Sequence, residues 1–320
     1  MSTDAFSRRA TIGGLLAFGA GAGASRAQDI DLGFGGGTRI PLPRSQVYAP
    51  PTRLSTIFDI YKRMTGPVMV QGSGPYPFVA DTGANQSVIS TELAIKLGLD
   101  SREYQPLNGV AGVQMTPTVT ATLQIAQQPP REATLFALSE EAIGGPGMLG
   151  LDQLGDARLT LDFARQAITI DEGPELPGAG EEIRAPAYRR DGQLTLVDAF
   201  IAGIRVTAFI DSGAQDTMGN MALRQLAITR YPTTTFSHMP IVSVTGQTMD
   251  ADFADLPDLT FGGLTLQSWP VAFADLHVFR MWGLIDKPAI VIGVDVLSRF
   301  STVCLDFRRD QVRFRLPARV

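Results

Sequence analysis

Two acids in this chain sit in the same local setting, Asp81 in Phe78-Val79-Ala80-Asp81-Thr82-Gly83-Ala84 and Asp211 in Phe209-Ile210-Asp211-Ser212-Gly213-Ala214. Each follows a short apolar run that reads as a buried strand and precedes polar residues and a helix-like run, so each acid stands at a strand end. A carboxylate there must be satisfied by hydroxyls, backbone N–H groups, water or a second carboxyl, because burying an isolated charge is very unfavourable. Thr82 and Ser212 supply hydroxyls, and Gly83 and Gly213 let backbone approach closely. A repeated acid-hydroxyl-glycine loop implies two acids that meet. Two carboxyls within hydrogen-bond reach cannot comfortably both ionise, so one proton is shared and the pair holds a base and an acid side by side. Such a pair can take a proton from water and return one to a leaving group, with no metal and no organic cofactor.

The elements that must position these acids are also duplicated. Met148-Leu149-Gly150-Leu151-Asp152 has its counterpart in Val291-Ile292-Gly293-Val294-Asp295, and Leu161-Asp162-Phe163 in Leu305-Asp306-Phe307. The offsets are 130 for the acid loops, 143 for the glycine motifs and 144 for the Leu-Asp-Phe motifs, so one unit is used twice with residues inserted between loop and glycine motif in the second copy. Asp152, Asp295, Asp162 and Asp306 each start or follow an element and read as caps and turn residues.

At these residues the chain resembles the aspartic proteases, the clan that includes pepsins and retropepsins, over a span from about Thr56 to Phe314. Ala84 and Ala214 after the glycines are similar to the retropepsin pattern, where pepsins usually carry Ser or Thr. Lacking that hydroxyl, the carboxylates lose a donor that would favour their charged form. The resemblance implies a mainly β, bilobal aspartic-protease fold: two related β-barrel-like lobes about a pseudo-twofold axis, with short helices. It assigns the catalytic dyad to Asp81 and Asp211, acting on a peptide or protein substrate. Thr82 and Ser212 would hydrogen-bond across the lobe interface, and Gly83 and Gly213 would point N–H groups at the carboxylates. The two carboxyls should lie within about 6 Å, the reach of one bridging water. Asn108-Gly109-Val110-Ala111-Gly112-Val113 stands where the family carries its flap, making Gly109, Val110 and Gly112 substrate-covering candidates, with Thr245 and Gly246 of Val244-Thr245-Gly246-Gln247 in the second copy. The rival from another class is a peptide-binding module that has kept the fold without catalysis. A third reading is hydrolysis of a non-peptide bond by the same dyad.

A chain of 320 residues can bury more than one core, and duplication divides it into lobes at 52–172 and 183–317 joined by the Gly/Pro-rich linker 173–182, the whole acting as a monomer. Its net charge of −5 and lack of a basic cluster exclude nucleic acid as a partner. The single Cys304 permits no intramolecular disulfide and reads as a buried strand thiol with no His or cation close in sequence. His238 and His277 stand apart without metal-ligand spacing. Asp250, Asp252, Asp255 and Asp258 read as a solvated hairpin face, and Trp269 and Trp282 as core.

The N-terminus reads as an address. Ser7-Arg8-Arg9 precedes a Gly/Ala-rich apolar run from Ile12 to Ala24, then Ser25-Arg26-Ala27, which resembles a twin-arginine signal cleaved after Ala27. The apolar run is too short for a comfortable membrane span, so the mature protein keeps none and is expected in the periplasm, with 28–51 a flexible arm. Replacing Arg8 and Arg9 by Lys is expected to stop export, read as loss of the mature form beginning near Gln28 from the periplasmic fraction. Undiminished periplasmic yield of the double variant contradicts the address.

Overall fold

The computed structural model describes residues 10–11, 52–55, 57–59, 62–101, 103–126, 128–154, 157–171, 182–190, 192–196 and 198–317. The leader apart from 10–11, the arm 28–51 and the linker apart from Glu182 lie outside the described residues. The architecture is mainly β with short helices. Among the described residues no helix is long and apolar enough to cross a membrane.

The first copy forms an eight-stranded sheet in the order Ile57–Phe58, Met64–Val70, Ser73–Ala80, Gly147–Leu149, Val88–Ser90, Arg131–Leu138, Gly112–Ile125 and Glu103–Gly109. Met64–Val70 also pairs with the far half of Gly112–Ile125, curling the sheet toward a barrel. The hairpin between Met64–Val70 and Ser73–Ala80 turns at Gln71 and Gly72, one step before the Gly72-Ser73-Gly74-Pro75 turn that the glycines suggest. Both residues take positive φ, 51° and 72°, the combination whose twist matches two antiparallel strands.

The second copy repeats the plan. Ser237–Val242, Thr248–Phe261, Leu264–Phe273, Met218–Gly219, Ala289–Ile292, Thr207–Ile210, Gln193–Leu196 and Glu182–Arg190 lie side by side in that order. The sheet then continues through Gln311–Arg315, Thr302–Asp306, Arg158–Asp162, Ala167–Asp171 and Thr52–Ser55. The end of the first copy thus pairs antiparallel with the end of the second, with Leu159 opposite Leu305 and Leu161 opposite Val303. This shared sheet covers an aromatic core in which the Phe314 ring lies 4.8 Å from both Phe261 and Phe300. Cys304 is buried there, but the fold brings it a cation that local sequence hides: Arg313, its cross-strand partner, donates Nη2 to Sγ at 3.0 Å. Burial nevertheless pushes the thiol up, with the arginines only opposing it, which fits a buried strand thiol.

Each acid loop is suspended between the same two supports. Asp81 N–H donates to Leu149 O at 2.9 Å and Asp211 N–H to Ile292 O at 3.0 Å, extending the parallel pairing of each acid-bearing strand with its glycine-motif strand. The loop then returns on that strand's other side as Val88–Ser90 or Met218–Gly219. A side chain at Gly150 would bring its Cβ to 2.8 Å from Ala84 O, and one at Gly293 to 2.8 Å from Asp216 O, which is why both motifs hold glycine. Ser87 donates its hydroxyl to Asp152 at 2.7 Å and accepts Gly150 N–H at 2.8 Å. Thr217 does the same with Asp295 and Gly293, at 2.7 and 3.0 Å. Asp152 and Asp295 therefore anchor the loops, while Asp162 and Asp306 accept N–H groups in the turns that follow them. Helices leave both returning strands on side-chain caps: Ser90 for Thr91–Lys96 and Asn220 for Met221–Arg230.

The second copy adds an acid to its anchor. Asp216 is pushed up to about 6 by burial and by the charge of Asp295, whose buried Oδ2 has no hydrogen-bond donor among the described residues. Because the folded value lies above the ordinary 3.8, the folded chain holds the extra proton between about pH 4 and 6, and stability falls as pH rises through that window. Asp216→Asn cannot ionise. It is expected to match the parent at pH 4 and to exceed it above pH 6 by on the order of 2 kcal/mol, as read from urea melts at both pH values. A variant with the parent's pH dependence contradicts the assignment.

Candidate active site

The two acid loops meet at the centre of the molecule. Their strands end side by side, and each carboxyl lies against the glycine of the opposite loop, with Asp81 acting on Asp211. A Cβ built on Gly83 would fall 2.3 Å from Asp211 Oδ2, and one on Gly213 2.2 Å from Asp81 Cγ. Each glycine therefore makes room for the opposite acid, a requirement beyond the turn flexibility that sequence suggests. Thr82 and Ser212 tie the loops together reciprocally. Thr82 N–H donates to Ser212 Oγ at 3.1 Å and Ser212 N–H to Thr82 Oγ1 at 3.0 Å. Their hydroxyls pass the bond on, Thr82 Oγ1 to Ile210 O at 3.1 Å and Ser212 Oγ to Ala80 O at 2.7 Å. Gly83 N–H donates to Asp81 Oδ1 at 2.8 Å; Gly213 and Ala214 N–H donate to Asp211 Oδ1 at 2.8 and 3.1 Å.

Both acids are fully buried. Burial pushes the Asp211 carboxyl up, against the N–H donors, the Asp81 hydrogen bond and the Arg63 charge that pull it down. Among the described residues no N–H or hydroxyl reaches Asp211 Oδ2. Two ionised carboxylates facing each other would leave that oxygen without a donor, whereas one proton held between them supplies it. Among the described residues no cluster of His, Cys, Asp and Glu could hold a metal ion.

The two hairpin candidates cross each other. Gly109, Val110 and Gly112 form the tip between Glu103–Gly109 and Gly112–Ile125; Thr245 and Gly246 form the turn between Ser237–Val242 and Thr248–Phe261. The tips touch, since a Cβ on Gly109 would lie 3.2 Å from Thr245 Cγ2 and one on Gly112 3.9 Å from Gln247 Oε1. Side chains two apart on a strand share a face, so Val79 lies on the dyad side with Asp81, and Phe209 with Asp211. These two residues begin separate apolar clusters, each completed from the other lobe. Val244 is buried among Val79, Val88, Leu107, Phe136 and Met148. Val110 is buried among Phe209, Met218, Ile241, Phe279 and Trp282, where the Trp282 ring stacks 4.0 Å from that of Phe209. His277 N–H holds Val110 O at 2.7 Å. Trp282 thus walls this dyad-side cluster, while Trp269 sits in the main core. The acidic run is drawn away: Asp252 pairs with Arg224 at 2.6 Å and Asp258 accepts the Tyr231 hydroxyl.

Sequence reading passes over two further residues. Arg63 Nη1 donates to Gly213 O at 3.3 Å, and Gln193 Nε2 donates to Gly83 O at 3.2 Å. They stand 130 positions apart, the spacing of the acid loops, and that number was the one signal able to find them.

Residues 66–152 and 197–296, which hold Asp81 and Asp211, match the model of a family described as aspartyl protease. Together the segments cover more than half of the chain. No curated protein matches it.

The crossed tips make closure measurable. Val110→Ala or Val244→Ala removes about 1.5 kcal/mol of apolar burial from the closed state, expected to speed amide exchange at 107–113 and 243–247, including His277 N–H, roughly tenfold. Exchange unchanged in both variants contradicts the crossed closure.

Proposed function

The chain belongs to the aspartyl protease family, and from this premise we propose that it is an endopeptidase of retropepsin-like type, hydrolysing peptide bonds with Asp81 and Asp211. The observation that carries the reading is the buried pair of facing carboxyls, held by reciprocal bonds from Thr82 and Ser212. A pair sharing one proton has both catalytic forms present at once.

Hydrolysis then proceeds in two balanced steps. The ionised carboxylate takes one proton from a water whose oxygen attacks the peptide carbonyl carbon, and the protonated carboxyl gives its proton to the carbonyl oxygen, leaving a neutral gem-diol. In the second step the newly protonated carboxyl delivers its proton to the amide nitrogen as the C–N bond breaks, and the other carboxyl recovers a proton from a gem-diol hydroxyl. The products are an acid and an amine, and the pair again shares one proton. The residues present are sufficient for this cycle. For a peptide to reach the pair the crossed tips must part, vacating the apolar pockets on either side. The leader reading extends the proposal to an exported, periplasmic enzyme.

Asp81→Asn and Asp211→Asn are each expected to lower kcat/KM by at least about a hundredfold while preserving the fold, because either change removes the shared-proton pair. The assay is mass-spectrometric detection of new termini in a mixed peptide library. Turnover retained in either variant counts against the mechanism. Peptides bound but left uncut by the parent chain point instead to a non-catalytic binding module.

A further inference from the structure

The acid loops are near-symmetric, but the side chains that grip them are not. Arg63 and Gln193 occupy corresponding positions, and each crosses to the opposite lobe to hold the carbonyl of the loop glycine. One grip carries a positive charge and the other is neutral. We propose that this pair makes the dyad unequal, with Arg63 holding Asp211 as the ionised base and leaving the shared proton on Asp81. The proposal rests on the dyad reading above and assigns its two roles; Arg63 and Gln193 act as positioning residues, touching neither substrate nor the reacting atoms.

The path from the charge to the acid is short. Gly213 C=O and Ala214 N–H belong to one peptide group. Arg63 donates to its oxygen, and its N–H donates to Asp211 Oδ1 at 3.1 Å. A cation on the carbonyl end polarises the peptide and strengthens the N–H as a donor, and that bond favours the carboxylate over the acid. In the other lobe the Gly83 carbonyl receives the amide of Gln193, which also donates to Asn85 Oδ1 at 3.0 Å and polarises less. Both gripping side chains are fully buried, so solvent does little to level the difference.

The charges around this path do not cancel it. Among the described residues, Asp81 and Arg63 act on Asp211, and the Arg63 charge pulls its carboxyl downward against burial. Arg63 itself is paired with Asp59, through Nε at 2.7 Å and Nη2 at 2.6 Å. Nη2 also donates to Ile143 O at 2.6 Å, while Nη1 donates to Gly213 O at 3.3 Å. The guanidinium thus bonds both Asp59 and the dyad loop, and its delocalised charge reaches the Gly213 carbonyl through Nη1. Asp59 weakens the field without reversing it.

Neutron diffraction from deuterium-exchanged crystals of the parent chain places the dyad's deuteron directly and needs no substrate. The expected result is a deuteron bonded to an Asp81 oxygen; one on Asp211, or one equally divided, overturns the proposal. The second measurement compares Asp59→Asn with Arg63→Gln as a double variant, which leaves glutamine at both gripping positions and no orphaned charge. Its acid limb in kcat/KM is expected to move up by ~1 pH unit, while Arg63→Lys, which keeps the cation, leaves the limb in place. A purely structural Arg63 would lower kcat/KM at every pH without moving the limb, and that outcome also overturns the proposal. Should the double variant fail to fold, the parent deuteron decides alone. A deuteron on Asp81 in a protein that cuts no peptide sinks the peptidase reading and leaves the asymmetry standing.

Discussion

The bonds between Thr82 and Ser212 are the constraint from which the rest of the site follows. Each hydroxyl accepts the other residue's backbone N–H and donates to a carbonyl one residue before the opposite acid, so four bonds span the lobe interface in a space no larger than two side chains. This brings two strand ends closer than two carboxylates would choose. Burial there costs the charged form of Asp211 more than the N–H donors return, and a proton held between the two carboxyls relieves that cost. A replacement that breaks one hydroxyl bond leaves buried backbone groups unpaired in both lobes.

The supports around the grip serve to keep it from relaxing. Anchors from Ser87 to Asp152 and from Thr217 to Asp295 fix each loop to its own glycine-motif strand, and Arg63 and Gln193 fix each loop to the opposite lobe. Every loop is therefore held from two directions. The apolar side chains facing the dyad add a third hold, because each cluster is finished by a valine from the far hairpin. A water-excluded pair interacts more strongly than an exposed one, since the local dielectric falls.

What sequence could disclose depended on whether a feature is local and repeated. The acid loops, glycine motifs and Leu-Asp-Phe motifs each occupy a few contiguous residues that occur twice with preserved chemistry, so a repeat search finds them and their offsets order them. Ser87 and Thr217 share a hydroxyl at the same offset but lie outside any recognisable motif. Arg63 and Gln193 share only position; a comparison that looks for like residues discards the pair just where its difference carries meaning. The shared sheet was hidden for another reason. Alternation along Arg158–Asp162 shows that one face is buried, but says nothing of a partner strand at Thr302–Asp306. The cation beside Cys304 was missed in the same way, since Arg313 reaches the thiol across a ladder rather than along the chain.

That shared sheet has a consequence for how the protein responds to dilution. A strand pairing antiparallel with its own repeat, Leu159 to Leu305 and Leu161 to Val303, is the isologous contact through which two identical chains would associate. Two separate chains would come apart as concentration fell, and half a site holds one acid. Here the connection between copies turns that bimolecular encounter into an intramolecular one, with an effective concentration on the order of millimolar. Bringing the second acid to the first therefore never requires finding another molecule, however dilute the solution.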